Sequence, residues 1–150
     1  MDSATRKLLV SADDPVCGEH PTNLSWEKLN SRIRALQPEL ERISGQVFIY
    51  DPTQDASFFA DLSTQRFDSS SSVIRLIVAL RFSNFADLFT LWSVCHEGEE
   101  LSSEIIAELI QATTRSGFHL VNADDLDETY DGCHPGFAGT TWRDRFFDYL

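Results

Sequence analysis

The sequence predicts an α+β fold: a mainly antiparallel sheet of four or five strands, two main helices packed on one face, and a short C-terminal helix. Three observations carry this reading. Residues 24–44 and 102–116 place apolar side chains at helical spacing, residues 73–82 alternate as a buried strand does, and shorter β-like runs lie around them between turn residues.

Taken in order, residues 1–22 hold Asp13-Asp14-Pro15, Gly18 and Pro21 with little periodicity. They are expected to form an irregular or mobile N-terminal arm, with 23–150 as a single α+β domain. Trp26, Leu29, Ile33, Leu36, Leu40 and Ile43 then recur every three or four residues, an amphipathic helix opened by Asn23 or Ser25 and closed at Gly45. Pro38 inside it predicts either a kink near residues 34–37 or a second short helix beginning there. Residues 46–50 and 57–62 are short β-like runs around Asp51-Pro52, and residues 69–72 are a four-serine linker.

Along residues 73–82, Ile74, Leu76, Val78 and Leu80 make one wholly apolar face, and Val73, Arg75, Ile77, Ala79 and Arg81 make the other. That pattern fits a central strand, with Leu88–Val94 as its antiparallel neighbour. Ser102 or Ser103 opens the second helix, whose buried stripe is Ile105, Ile106, Leu109, Ile110 and Thr113, and Gly117 ends it. Phe118–Val121 is a last short strand and 124–139 an irregular polar stretch. In the closing segment Trp142, Phe146, Tyr149 and Leu150 share a helical face, behind a capping-box-like Thr141 and Asp144.

Charge is the feature that bears on function. The chain has 12 Lys and Arg against 24 Asp and Glu, a net charge of −12. Between Glu97 and Asp131 ten acidic side chains face one basic one, Arg115, so that stretch alone holds about −9. Such a balance disfavours nucleic acid and anionic membranes, which are bound through clustered Lys and Arg, and favours a basic protein partner. No apolar run has the length of a secretory signal or a membrane span, which makes cytoplasmic residence the expectation. Three cysteines in a chain of this size suggest reduced thiols.

Motifs for chemistry are sparse. There is no Gly-x-Ser-x-Gly, no phosphate-binding Gly-rich loop and no His-Glu-x-x-His, and no cofactor is expected. Cys95-His96 and Cys133-His134 supply zinc-type ligands, but at spacings that match no standard finger or ribbon. Asp127, Thr129, Asp131 and Gly132 fall on the first, third, fifth and sixth positions of an EF-hand loop, yet the twelfth is Ala138, so the bidentate carboxylate is missing. The functional expectation is therefore a small acidic, non-catalytic binding protein. Its candidate surface is Glu97, Glu99, Glu100, Glu104 and Glu108 together with Asp124, Asp125, Asp127, Glu128 and Asp131. In general character, small, acidic, α+β and without catalytic motifs, the chain resembles immunity proteins. That resemblance implies an inhibitor covering a basic toxin or nuclease. The alternative is a small enzyme or ligand-binding domain using carboxylates or His96, His119, Cys133 and His134, and the plainest reading is a globular domain whose acidity serves solubility. The two acidic stretches make one binding face only if the fold joins them.

Overall fold

The computed structural model describes residues 1–18, 20–52, 59–68, 72–93 and 101–148. Among the described residues are four α-helices and a five-stranded sheet. They run α1 (Ser3–Ala12), α2 (Trp26–Ser44), β1 (Ile49–Asp51), β2 (Phe59–Asp68), β3 (Val73–Ser83), β4 (Leu88–Ser93), α3 (Ser103–Arg115), β5 (His119–Leu120) and α4 (Trp142–Phe146). The strands lie in sequence order, antiparallel except for the parallel pair β4–β5. A parallel neighbour needs a long crossover, and α3 is part of it. Among the described residues no helix is long and apolar enough to cross a membrane.

Alternation along the strands separates two faces. Ala60, Leu62, Val78, Leu80, Phe82 and Phe89 point to one side, where they meet Leu29, Ile33, Leu36 and Leu40 of α2 and Leu109 and Ala112 of α3. Gly45 ends α2 in the left-handed region at φ 67°, its N–H donating to the Glu41 carbonyl at 2.8 Å. Pro38 neither stops α2 nor starts a new helix. It lies on the exposed side of one continuous element, where a carbonyl without its helical donor is open to water.

On the opposite face a second core forms. Leu88 alternates with Phe89 and packs with Phe85, Val121, Leu126, Phe137, Trp142, Phe146 and Phe147. Leu9 of α1 belongs to the same cluster and is fully buried. The N-terminal arm thus differs from its expectation over Ser3–Ala12, which is helical, with the Asp2 side chain accepting from the N–H groups of Ala4 and Thr5. Helical periodicity could not reveal this, because α1 buries one residue where a self-evident amphipathic helix buries a stripe.

Two further departures concern the strands. β2 continues through the polar residues Ser63–Asp68, well beyond the Leu62 end suggested by its apolar run, and pairs with β3 along its whole length. The β2–β3 register also shifts between Thr64, opposite Val78, and Gln65, opposite Leu76, so Ile77 is an extra residue on β3. The bulge moves Leu76 off the face it would share with Val78 and Leu80 and onto the face of Ala79 and Arg81.

Candidate functional site

The acidic positions among the described residues fall on two sides of the sheet. Glu104 and Glu108 lie one turn apart on the exposed side of α3, the helix that packs on the first face. Bonds from its own backbone and from the Ser102 and Ser103 hydroxyls hold the Glu104 carboxyl below its ordinary value. Glu97, Glu99 and Glu100 lie outside the described residues. Asp124, Asp125 and Asp127 sit in a 3-10 turn, Ala123–Asp127, whose Leu126 is anchored in the second core. Glu128 and Asp131 follow directly. The fold therefore places Glu104 and Glu108 on an element of one face and 124–131 with the core of the other.

Most of the loop carboxylates already have cations beside them. Arg143 donates from Nε to Asp127 at 2.7 Å and from Nη2 to the Ala123 carbonyl at 2.8 Å, which clamps the turn to α4. The guanidinium holds the Asp127 carboxyl below the usual range. Arg6 of α1 pairs with Asp131, and the Met1 amino group lies 3.1 Å from Asp125 and also bonds Glu128. Arg115 pairs with Glu39 of α2 at 3.0 Å. Among the described residues no ion pair engages Glu104, Glu108 or Asp124.

Cys133 and His134 fall in a structural network. Arg145, fully buried, donates from Nε to Asp13 at 2.8 Å, from Nη1 to the Gly18 carbonyl at 2.7 Å, and from Nη2 to the carbonyls of Asp14 and Cys17 at 2.9 and 3.0 Å. Its plane stacks on Phe85 and Phe137. Asp13 also accepts from the Tyr130 hydroxyl and from the N–H and thiol of Cys133, at 2.7 and 3.3 Å. Burial and the Asp13 carboxylate push the Cys133 thiol up, the wrong direction for a nucleophile. Tyr130 is pushed up to about 12 by burial and the same carboxylate. His134 Nδ1 accepts from the Gly136 N–H at 3.1 Å, and His119 is exposed on β5. Cys95 and His96 lie outside the described residues, among which no group of three or more His, Cys, Asp or Glu side chains could hold a metal.

A concavity of the sheet lies on the second face, over β1, β2 and β3, beside the part that the second core covers. It is a hollow of about 320 Å³. Register explains its shape. One row across the strands reads Ile49, Ser63, Ala79 and Trp92, with small side chains in the middle and large ones at each end. The next row reads Asp51, Asp61 and Arg81, while Leu76, turned to this side by the bulge, and Gln65 close the far rim.

Arg81 holds Asp61 as a fork, from Nε to Oδ1 and from Nη2 to Oδ2, both at 3.0 Å, and donates from Nη1 to the Phe147 carbonyl at 3.1 Å. Phe59 lies against the guanidinium, 3.7 Å from ring centre to Cζ. Burial pushes the Asp61 carboxyl up against the pull of Arg81, and Asp51, directly opposite across the β1–β2 pair, pushes the same way. Arg143, the clamp on Asp127, also lies over Trp92 at 4.6 Å, so the loop and the hollow meet at that indole. Sequence reasoning missed this site, since Asp51 reads as a turn residue and Asp61 as one acid among many. The available signal was Arg81 itself, a charge placed in the most apolar strand of the chain. Comparison with known protein families, curated proteins and solved structures gives no match to this chain.

Proposed function

We propose that the protein is a non-catalytic acidic binding protein that engages a basic protein partner, of the kind an immunity-type inhibitor covers on a toxin or nuclease. The binding side is the second face of the sheet, where the open hollow adjoins the 124–131 loop. The observation that carries the reading is this junction at Trp92, where Arg143, bonded to Asp127 of the acidic loop, lies over the indole that closes one end of the hollow holding Asp51 and Asp61. Exposed ion pairs such as Arg6–Asp131 contribute little to stability, so an incoming cation displaces them at small cost. Complementary charge of this kind speeds encounter and selects partners.

Affinity capture from the native source, run at about 0.05 and 0.3 M salt, tests the proposal. A basic protein retained at the lower salt and lost at the higher is the expected result. Its capture falls with the triple variant Asp124→Asn, Glu128→Gln, Asp131→Asn and persists with Glu104→Gln, Glu108→Gln on the opposite side. Capture indifferent to salt and to the loop variant overturns the reading.

A further inference from the structure

We infer that α1 is an internal stand-in for the partner: in the free protein it fills a seat beside the acidic loop, and a basic amphipathic helix of the partner replaces it there while residues 13–18 stay fixed. The inference rests on the basic-partner reading above and gives that reading a docking site and a form of self-inhibition.

The seat has two parts, and α1 shows what each one takes. Leu9 is fully buried among the side chains of the second core, and Leu8 and Ala12 are partly buried against them. Arg6, one turn before Leu9, pairs with Asp131. The seat therefore accepts a helix that carries a cation and, three residues later, an apolar side chain.

α1 is a weak match for that seat. Of the five carboxylates at 124–131, Asp127 is held by Arg143 and Asp131 by Arg6, Asp125 and Glu128 meet the Met1 amino group, and Asp124 has no ion pair among the described residues. One side-chain cation of α1 thus serves the loop, since no ion pair among the described residues engages the neighbouring Lys7. At ten residues α1 is also shorter than the about 12–15 at which an isolated helix becomes marginally stable in water, so it is helical through a seat that it grips with a single fully buried side chain. Its covalent tether gives it a high effective concentration, and replacement needs a better match. A helix with further cations one turn either side of the Arg6 position supplies one, because it reaches the carboxylates that α1 leaves to others.

The root, by contrast, is fixed. At Asp13 the backbone passes from helix to an extended conformation, φ −72° and ψ 148°. From there Arg145 holds the Asp13 carboxylate and the carbonyls of Asp14, Cys17 and Gly18. α1 therefore leaves as a unit on a hinge at Ala12–Asp13, with the clasp closed behind it.

The test is a two-dimensional amide NMR titration of the isotope-labelled intact chain with an unlabelled, blocked peptide. The peptide copies residues 1–12 but carries Ser3→Lys and Val10→Lys, which flank Arg6 by one turn on each side. A second peptide that adds Leu9→Gln runs in parallel. The expected result is saturable binding of the first peptide, with the chain's own α1 amides moving to coil positions and losing exchange protection. The Arg145 Nε–H signal and α3 stay unmoved. Arg6→Gln in the chain strengthens peptide binding about twofold to fivefold, the range that one exposed ion pair spans. Lys7→Gln removes the same charge without breaking a pair and changes binding much less.

No binding, binding that leaves α1 protected, or equal binding of the Leu9→Gln peptide overturns the stand-in. Equal effects of Arg6→Gln and Lys7→Gln overturn the part played by the Arg6 pair. A dimer seen by light scattering and dissociated by the peptide gives the seat to a second copy and overturns the choice of partner. Salt-sensitive capture without replacement of α1 removes only this inference. Replacement of α1 with no captured basic protein removes the broader reading and leaves a helix that a peptide can displace.

Discussion

Arg145 holds its charge in a place that water does not reach, against Phe85 and Phe137, and spends its donors on a carboxylate and three carbonyls of residues 13–18. Its partner Asp13 is equally enclosed. Burial alone would raise the Asp13 carboxyl, yet the bonds from Tyr130, Arg145 and Cys133 outweigh it and leave it below its ordinary value of 3.8. A carboxyl depressed by folding contributes stability that is present above the unfolded value and is lost as pH falls through the folded one. Urea denaturation midpoints are accordingly expected to fall on acidification from neutral pH to below about 4, and Asp13→Asn to flatten that acid limb while lowering the neutral plateau. Arg145→Leu strands a buried carboxylate and is expected to cost about 3–5 kcal/mol at neutral pH, much of it recovered when Asp13→Leu is added. An Arg145→Leu protein as stable as the parent would refute the clasp. Nothing in the local sequence distinguishes Arg145 from Arg143, two residues away, which keeps about 15% of its side chain exposed and pairs with an exposed acid. Only the placement of residues 13–18, over 125 positions earlier in the chain, separates their roles.

Elements differ in how openly the chain announces them. α2 and α3 each bury a stripe and carry a stop signal, so both were readable to within a residue or two. Gly45 is the clearest such signal: its φ of 67° sits where a Cβ is strained even though nothing lies within 4 Å of it. Gly45→Ala is expected to lower stability by about 1 kcal/mol, seen as a lower urea midpoint with unchanged slope. An unchanged midpoint would mean that the cap relaxes freely. β3 was readable as a central strand because it is apolar on both sides, but its bulge was not. A bulge is settled by which partner residues find hydrogen bonds across the ladder, and the run from Ile74 to Leu80 alternates equally well without one. The hollow was hidden for the same reason, since its rows exist only through the register of four strands.

At the scale of the molecule, one sheet separates two cores of different origin. The first is built by α2 and α3 against the sheet, and the second joins the N-terminal helix to the C-terminal third of the chain. The Asp13–Arg145 pair fastens that union, with Leu9 as its apolar counterpart. Removal of residues 1–18 is expected to uncover the second core, giving binding of a hydrophobic dye and early proteolysis within 119–148, with residues 26–44 and 103–115 still protected from amide exchange. Uniform protection of both halves would show that the N-terminal segment is dispensable. By itself the sequence determined the α+β class, the two principal helices, the central strand and the negative charge, because propensity, periodicity and composition are properties of neighbouring residues. Which acids share a side, what encloses Arg145, and where Leu76 faces were decided by tertiary structure alone. Each of those depends on groups that the chain brings together from far apart, through strand register and burial that no local pattern encodes.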